Sequence, residues 1–187
     1  MEDKRLKKRM YVFVERHLSP IDKGIQAAHA IVEYFNEAIL WEKEKYINLY
    51  TEWANLDKTL ILLNGGSVTE LDNLIEELYN SNIHCGVFRE PDLDNIVTAV
   101  SVIVDEQVFN TKPIPDFIEP SMFITSRATW SPELAQQVCI YKKSDIEKEL
   151  EQKLIQYKNE YIDYVDNIGG IDNLKLKYLI NNCKLAR

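Results

Sequence analysis

Asp22, Gln26, His29 and Glu33 recur at intervals of four, three and four residues, the spacing that sets side chains along one face of a helix. Lys23 lies one turn from Gln26. A carboxylate, an amide, an imidazole and an ammonium group in that arrangement can bind anions, orient water or move a proton. The plainer alternatives are a packed, hydrogen-bonded structural histidine and ordinary first-turn charges. A second polar group follows at Asp92, Asp94, Asn95 and Thr98. Asp92 and Thr98 could approach the helix from neighbouring strand ends, or Asp92 and Asp94 simply form a turn whose geometry Pro91 sets. Arg16 and His17 could contact phosphate or finish a strand. Arg89 and Glu90 read as a surface ion pair, and Cys85 as core.

The elements that must position these groups are legible from patterning. Residues 10–16 (Met-Tyr-Val-Phe-Val-Glu-Arg) are β-branched and aromatic and predict a buried strand. Ser19 and Pro20 are a helix cap with proline at the first helical position. The helix runs from residue 21 to about 37 or beyond, with an apolar stripe of Ile21, Ile25, Ala28, Val32, Phe35 and Ile39. A helical stretch over 41–54 precedes a buried strand at 58–63. Asn64-Gly-Gly66 is expected to turn the chain. Ser67 to Glu70 is a capping box opening a helix to about residue 80, whose core face is Leu71, Leu74, Ile75 and Leu78. Strands follow at 83–88 and 96–104. The order β-α-β-α-β-β predicts a three-layer α/β/α unit with a mixed, mainly parallel four-stranded sheet. The last two strands are joined by a short loop, which allows one of them to run antiparallel.

Beyond residue 105 the pattern changes. Prolines at 113, 115 and 120 break regular structure. A short helix is expected from Ser131-Pro132-Glu133. A second capping box, Ser144 to Glu147, opens a long helix carrying Ile146, Leu150, Leu154, Tyr157, Tyr161 and Val165. Gly169-Gly170 ends it, and a last helix over 172–183 carries Leu174, Tyr178 and Leu179. Residues 106–187 thus form a mostly helical extension after an α/β domain at 8–105. The tyrosines read as a packing stripe rather than a base-stacking surface. The extension is expected to pack on its own chain, with a homodimer or another partner as the alternative.

The 187 residues suit one domain with an appendage, and 45% hydrophobic residues supply a core. No apolar run reaches the length of a membrane span, and the basic start (Lys4, Arg5, Lys7, Lys8, Arg9) lacks the apolar stretch of a signal peptide. Cys85, Cys139 and Cys183 are scattered, so no disulfide framework and no zinc spacing is expected. These features predict a cytoplasmic protein without membrane, metal or cofactor. The net charge of −8 argues against general nucleic-acid affinity. It is uneven: residues 1–141 hold 13 basic and 22 acidic side chains, residues 142–187 nine and eight.

Residues 8–105 resemble the type II peptidyl-tRNA hydrolases. The first strand leads into His17-Leu18, Gln26-Ala-Ala-His29-Ala30 matches the family's helix motif, and Trp53 precedes the second strand. The helix from Ser67, the strand ending Phe88-Arg-Glu-Pro-Asp92 and the strand from Thr98 occupy the expected places. The chain departs from the family in its first turn, where His17 replaces an acid, and in a shortened helix start, Asp22-Lys23-Gly24. The loop Asp92-Leu-Asp94-Asn95 is also shorter before Thr98. The resemblance implies metal-free hydrolysis of the ester between a peptide and tRNA, a role in translation, and tRNA or peptidyl-tRNA as partner. It implies Lys23 for phosphate or oxyanion contact, Asp92 for water orientation, and Gln26 and Thr98 as hydrogen-bonding supports. His29 joins that catalytic set, with Arg16, His17 and Asn95 toward substrate.

The departures motivate a second expectation: a homologue that kept the fold, lost the chemistry and binds a tRNA end, a nucleotide or a partner protein. Richness in Lys, Asn, Ile and Tyr points to an AT-rich genome, bacterial or phage. In a phage, such a protein would act on a host system.

Overall fold

The computed structural model describes residues 5–118 and 145–186, with backbone alone for 145–154. The helix expected from Ser131, the break at Glu119-Pro120, the Ser144 cap, and the side chains of Ile146, Leu150 and Leu154 lie outside the described residues. The elements are β1 (Lys8–Glu15), α1 (Pro20–Leu40), α2 (Glu44–Glu52), β2 (Thr59–Gly66), α3 (Val68–Asn80), β3 (Gly86–Glu90), β4 (Ile96–Asp105), α4 (Glu106–Asn110), α5 (Asp145–Ile168) and α6 (Ile171–Asn182).

The sheet is mixed, with strand order β2-β1-β4-β3. β1 and β2 are parallel, while β4 runs antiparallel to both β1 and β3. Three of the four strands therefore share a direction, but β4 lies between two of them and makes two antiparallel ladders. β1 is buried on both faces, and its alternation divides the core. Met10, Val12 and Val14 pack toward α1 with Ala27, Ala30, Tyr34 and Ala99. Tyr11 and Phe13 pack toward α3 with Leu71, Leu74, Ile75 and Leu78. These four α3 residues are the expected core face, and the Ser67–Glu70 capping box is formed.

The face of α1 differs from the expected one. Its buried residues are Gln26, Ala27, Ala30, Tyr34 and Ala38, whereas Ile21, Ile25, Val32 and Ile39 are exposed. The cause is the close approach of helix and sheet. A Cβ on Gly86 would lie 2.2 Å from the Tyr34 nitrogen and 2.3 Å from the Ala30 carbonyl oxygen, so the helix backbone sits close to the strand and alanines line most of the contact, with the Tyr34 side chain buried beside it. The Ser101 hydroxyl donates to the same Ala30 oxygen at 2.7 Å. Large aliphatics win a hydropathy reading, but helix–sheet distance selects alanine.

Asn64-Gly-Gly66 is likewise not a turn but the end of β2. Gly65 is an extra residue between the pairs Val14–Asn64 and Glu15–Gly66. A Cβ there would meet Leu71 at 2.5 Å, so the bulge lets α3 begin directly against the strand. The third strand starts at Gly86, later than the apolar residues 83–85 suggest, because His84 is buried beneath α1, its Nε2 2.8 Å from the Tyr34 carbonyl oxygen.

The C-terminal helices pack in cis. Leu176 of α6 enters the core beside Val102, Val104 and Val108. Lys177 is buried and donates to the carbonyls of Val108 (2.9 Å) and Thr111 (2.7 Å). Tyr164 and Ile168 of α5 pack with Leu174 and Ile118. The chain then returns to the free edge of β2, where Leu185 bridges Leu63 antiparallel and covers backbone that an edge strand would otherwise expose.

The other end of the sheet is fastened by Asp57. Its carboxylate accepts from the Arg5 guanidinium at 2.8 and 2.9 Å and from the Lys8 backbone N–H at 2.9 Å. These bonds, the guanidinium first, hold the Asp57 carboxyl at about 2 against an ordinary 3.8. A depressed folded value contributes stability above the unfolded value that is lost as pH falls through the folded one. Asp57→Asn is therefore expected to cost about 1 to 2 kcal/mol at neutral pH. Urea titrations from pH 7 downward should show that difference vanish between pH 3.8 and about 2. A difference independent of pH would contradict the assignment.

Candidate functional site

β1, β2 and β3 end, and β4 begins, at one edge of the sheet. The capped N-termini of α1 and α3 stand at that edge, as do residues 16–19 and 91–95. In open α/β sheets this is where ligands are bound, and helix N-termini there favour anions.

Two hydrogen-bonded groups occupy the edge. In the first, the fully buried Thr98 donates its hydroxyl to Gln26 Oε1 at 2.9 Å. Gln26 Nε2 donates to Glu90 Oε2 at 2.5 Å, and Glu90 Oε1 accepts the Asp92 backbone N–H at 3.4 Å. The amide orientation follows from its partners, because the carboxylate can only accept. The backbone explains why Thr98 points to α1. Phe88 pairs with Ala99 and Arg89 with Val97, which leaves Thr98 as the extra residue of a β-bulge.

In the second group, Glu15 ends β1 and is 6% exposed. Its Oε2 accepts the backbone N–H groups of His17 (2.6 Å) and Leu18 (3.1 Å). Its Oε1 lies 2.6 Å from His17 Nδ1. The His17 side chain is 75% exposed. With Nδ1–H directed at the carboxylate, Nε2 is the basic nitrogen and faces solvent. Val14 pairs with Ala99, so the next residues along, Glu15 and Thr98, belong to adjacent strand ends. The alternation that sends Tyr11 and Phe13 toward α3 sends Glu15 the same way, so the two groups stand at neighbouring strand ends on opposite faces of the sheet.

The remaining candidates are spread around it. Lys23 is half-buried in the first turn of α1, its backbone N–H donating to Ser19 O at 2.9 Å. His29 is exposed and stacks on Phe88, with ring centroids 4.4 Å apart and planes at 16°, apart from the Thr98–Gln26–Glu90 chain. Arg16 pairs with Glu70 at 3.2 Å. Bonds from Ser67, backbone first, lower the Glu70 carboxyl. Asp92 is exposed within a single helical turn, Pro91–Leu93. Asp94 and Asn95 follow in left-handed conformations (φ 55° and 59°), and Asn95 N–H donates to the Glu90 carbonyl at 3.1 Å.

Glu15 and Glu90 are site residues that motif reading passed over. Arg89 and Glu90 do not pair, because adjacent strand residues point to opposite faces. Arg89 reaches Asp72 on α3 at 3.1 Å, while Glu90 reaches Gln26 on α1. That alternation was the available signal for Glu90. For Glu15 it was a carboxylate closing an apolar strand, which demands partners when buried. Among the described residues, no three His, Cys, Asp or Glu side chains gather as a metal site, and no helix is long and apolar enough to cross a membrane. No protein-family profile matches the chain, and no curated protein sequence matches it significantly.

Proposed function

We propose that the chain hydrolyses the ester joining a peptide to the 3′ ribose of tRNA, with water as nucleophile, in the cytoplasm. The observation that supports this reading is the Glu15–His17 pair, a buried carboxylate holding an exposed imidazole, at the strand end next to the one that carries Thr98. Ester hydrolysis needs a proton acceptor for water, donors for the carbonyl oxygen and a hold on the nucleic acid.

His17 Nε2 accepts the proton of the attacking water. Glu15 fixes the imidazole tautomer and stabilises the imidazolium that forms, as a buried acid does in a catalytic triad. Attack breaks the carbonyl π bond and places charge on its oxygen. Lys23 meets that charge or the terminal phosphate. When the tetrahedral intermediate collapses, the C–O bond to the ribose breaks and the 3′ oxygen takes the proton from His17. Asp92 orients the water. Gln26 and Thr98 keep Glu90 and the residue 91–95 turn in place.

One observation favours a second reading, a protein that binds a tRNA end, nucleotide or partner without cutting. Gln26 and Thr98 bond to each other, Arg16 is paired with Glu70, and Glu15, Glu70, Glu90, Asp92 and Asp94 give the edge an acidic balance. A time course of peptide release from peptidyl-tRNA separates the two. Wild-type protein should release peptide, and Lys23→Ala and Asp92→Ala should each slow release by about 10²-fold, the scale of a lost electrostatic contact in a transition state. Wild-type release no faster than the variants ends the hydrolase reading. Retention of intact peptidyl-tRNA on a filter would then support binding.

A further inference from the structure

Ile21, Ile25, Ala28, Val32, Phe35 and Ile39 run along α1 at intervals of four, three, four, three and four, on the side away from the sheet. Ile21 is 76%, Ile25 48%, Val32 52% and Ile39 50% exposed. Ala28 is exposed, and Phe35 is half-buried with its ring stacked on Tyr50. Leu40 and Trp41, at 72% and 66% exposed, add apolar surface at the end of α1 but lie off the stripe. Residues repeating this way, with β-branched Ile25, Val32 and Ile39 seven apart, are the a and d positions of a helix–helix seam. Contact with the sheet cannot account for them, because it uses Ala27, Ala30, Tyr34 and Ala38. Exposed apolar stripes of this extent mark interaction sites, and heptad spacing specifies a helix as the partner.

We propose that α1 packs against α1 of a second copy of this chain, antiparallel about a two-fold axis near residue 30. The spacing is identical read from either end. A two-fold axis there sets Ile21 against Ile39, Ile25 against Phe35, and the small Ala28 against Val32. A C2 contact requires this self-complementarity. The polar border agrees. Asp22, His29, Glu33 and Asn36 flank the seam on one side, and an antiparallel pair brings like flanks together. His29 then falls two residues, about 3 Å along the axis, from the second copy's Glu33, and Asp22 the same distance from its Asn36. Each acid meets a donor. A parallel pair would instead set this polar border against Gly24 and Ile31.

Sedimentation velocity on the full chain tests the proposal. The mass should rise with concentration from 21.8 kDa toward twice that value. Ile25→Asp and Val32→Asp should each hold the chain monomeric with unchanged circular dichroism, since both side chains are exposed in the single chain, and their urea midpoints should match wild type only at dilutions where wild type is itself monomeric. The register has its own test: Ala28→Cys combined with Val32→Cys should form a covalent dimer on mild oxidation, whereas Ala28→Cys alone should not. A wild-type monomer into the high micromolar range overturns the proposal. So does a dimer that survives both aspartate substitutions, or cross-linking by Ala28→Cys alone.

Discussion

His17→Gln is expected to lower kcat for peptidyl-tRNA hydrolysis by about 10²- to 10⁴-fold, the contribution of a positioned general base, with little change in KM. Glutamine can still donate an N–H to the Glu15 carboxylate, which now lies 2.6 Å from Nδ1, so the turn keeps its hydrogen bond. It cannot accept a proton at the position of Nε2. A loss in kcat without a matching change in KM identifies an interaction made in the transition state. Because the imidazole is largely exposed, added imidazole should restore part of the rate to His17→Ala, which a structural defect would not permit. Glu15→Gln should cost less, since it weakens orientation and imidazolium stabilisation without removing the base. Equal kcat in wild type and His17→Gln would assign proton transfer elsewhere in the site.

Gly86→Ala is expected to be the most damaging single methyl group in the fold. At 2.2 to 2.6 Å, the new Cβ would overlap the Tyr34 nitrogen, the Ala30 oxygen and the Tyr34 Cα. All three are backbone atoms of α1, so no rotamer change relieves them. The helix would have to lift from β3, and with it Ala27, Ala30 and Tyr34 would leave their contacts with Met10, Val12 and Ala99. Overpacking of a well-filled core costs about 1 to 3 kcal/mol, and an unyielding backbone neighbour sets the expectation at the top of that range or beyond. Urea unfolding monitored by circular dichroism measures it. A loss below about 1 kcal/mol would mean that α1 and β3 stand further apart. Gln26 rides on the same helix, so hydrolysis should fall together with stability.

Local signals carried much of the fold. Ser19 accepts the Asp22 N–H at 3.2 Å, and Ser67 with Glu70 forms the reciprocal cap, because capping is decided within four residues. Strands β1 and β4 and the α3 face were legible for the same reason, since composition and period suffice when a whole face is buried; β2, expected to be buried, is an edge strand with Thr59 and Leu60 exposed, because its apolar run does not reveal its place in the sheet. What sequence reading missed depended on distance between elements. The α1 face was decided by Gly86, far along the chain. The end of β2 was decided by a bulge that admits α3. Of the site, Gln26 and Thr98 were legible as polar residues at a helix start and a strand start. Their link through Glu90 was not, since it needs the Thr98 bulge to turn one hydroxyl toward α1. The Glu15–His17 pair was hidden by its own compactness: two residues apart, it reads as an ordinary charged turn until the burial of Glu15 is known.

Whether this sheet edge cleaves the peptide–tRNA ester is decided by a single-turnover experiment. Wild-type protein in excess is mixed with peptidyl-tRNA, and the products are separated by charge and length. Complete conversion to free peptide and tRNA with an intact 3′ hydroxyl is expected, at a rate well above that of buffer. Ester that survives at the buffer rate would contradict cleavage at this edge.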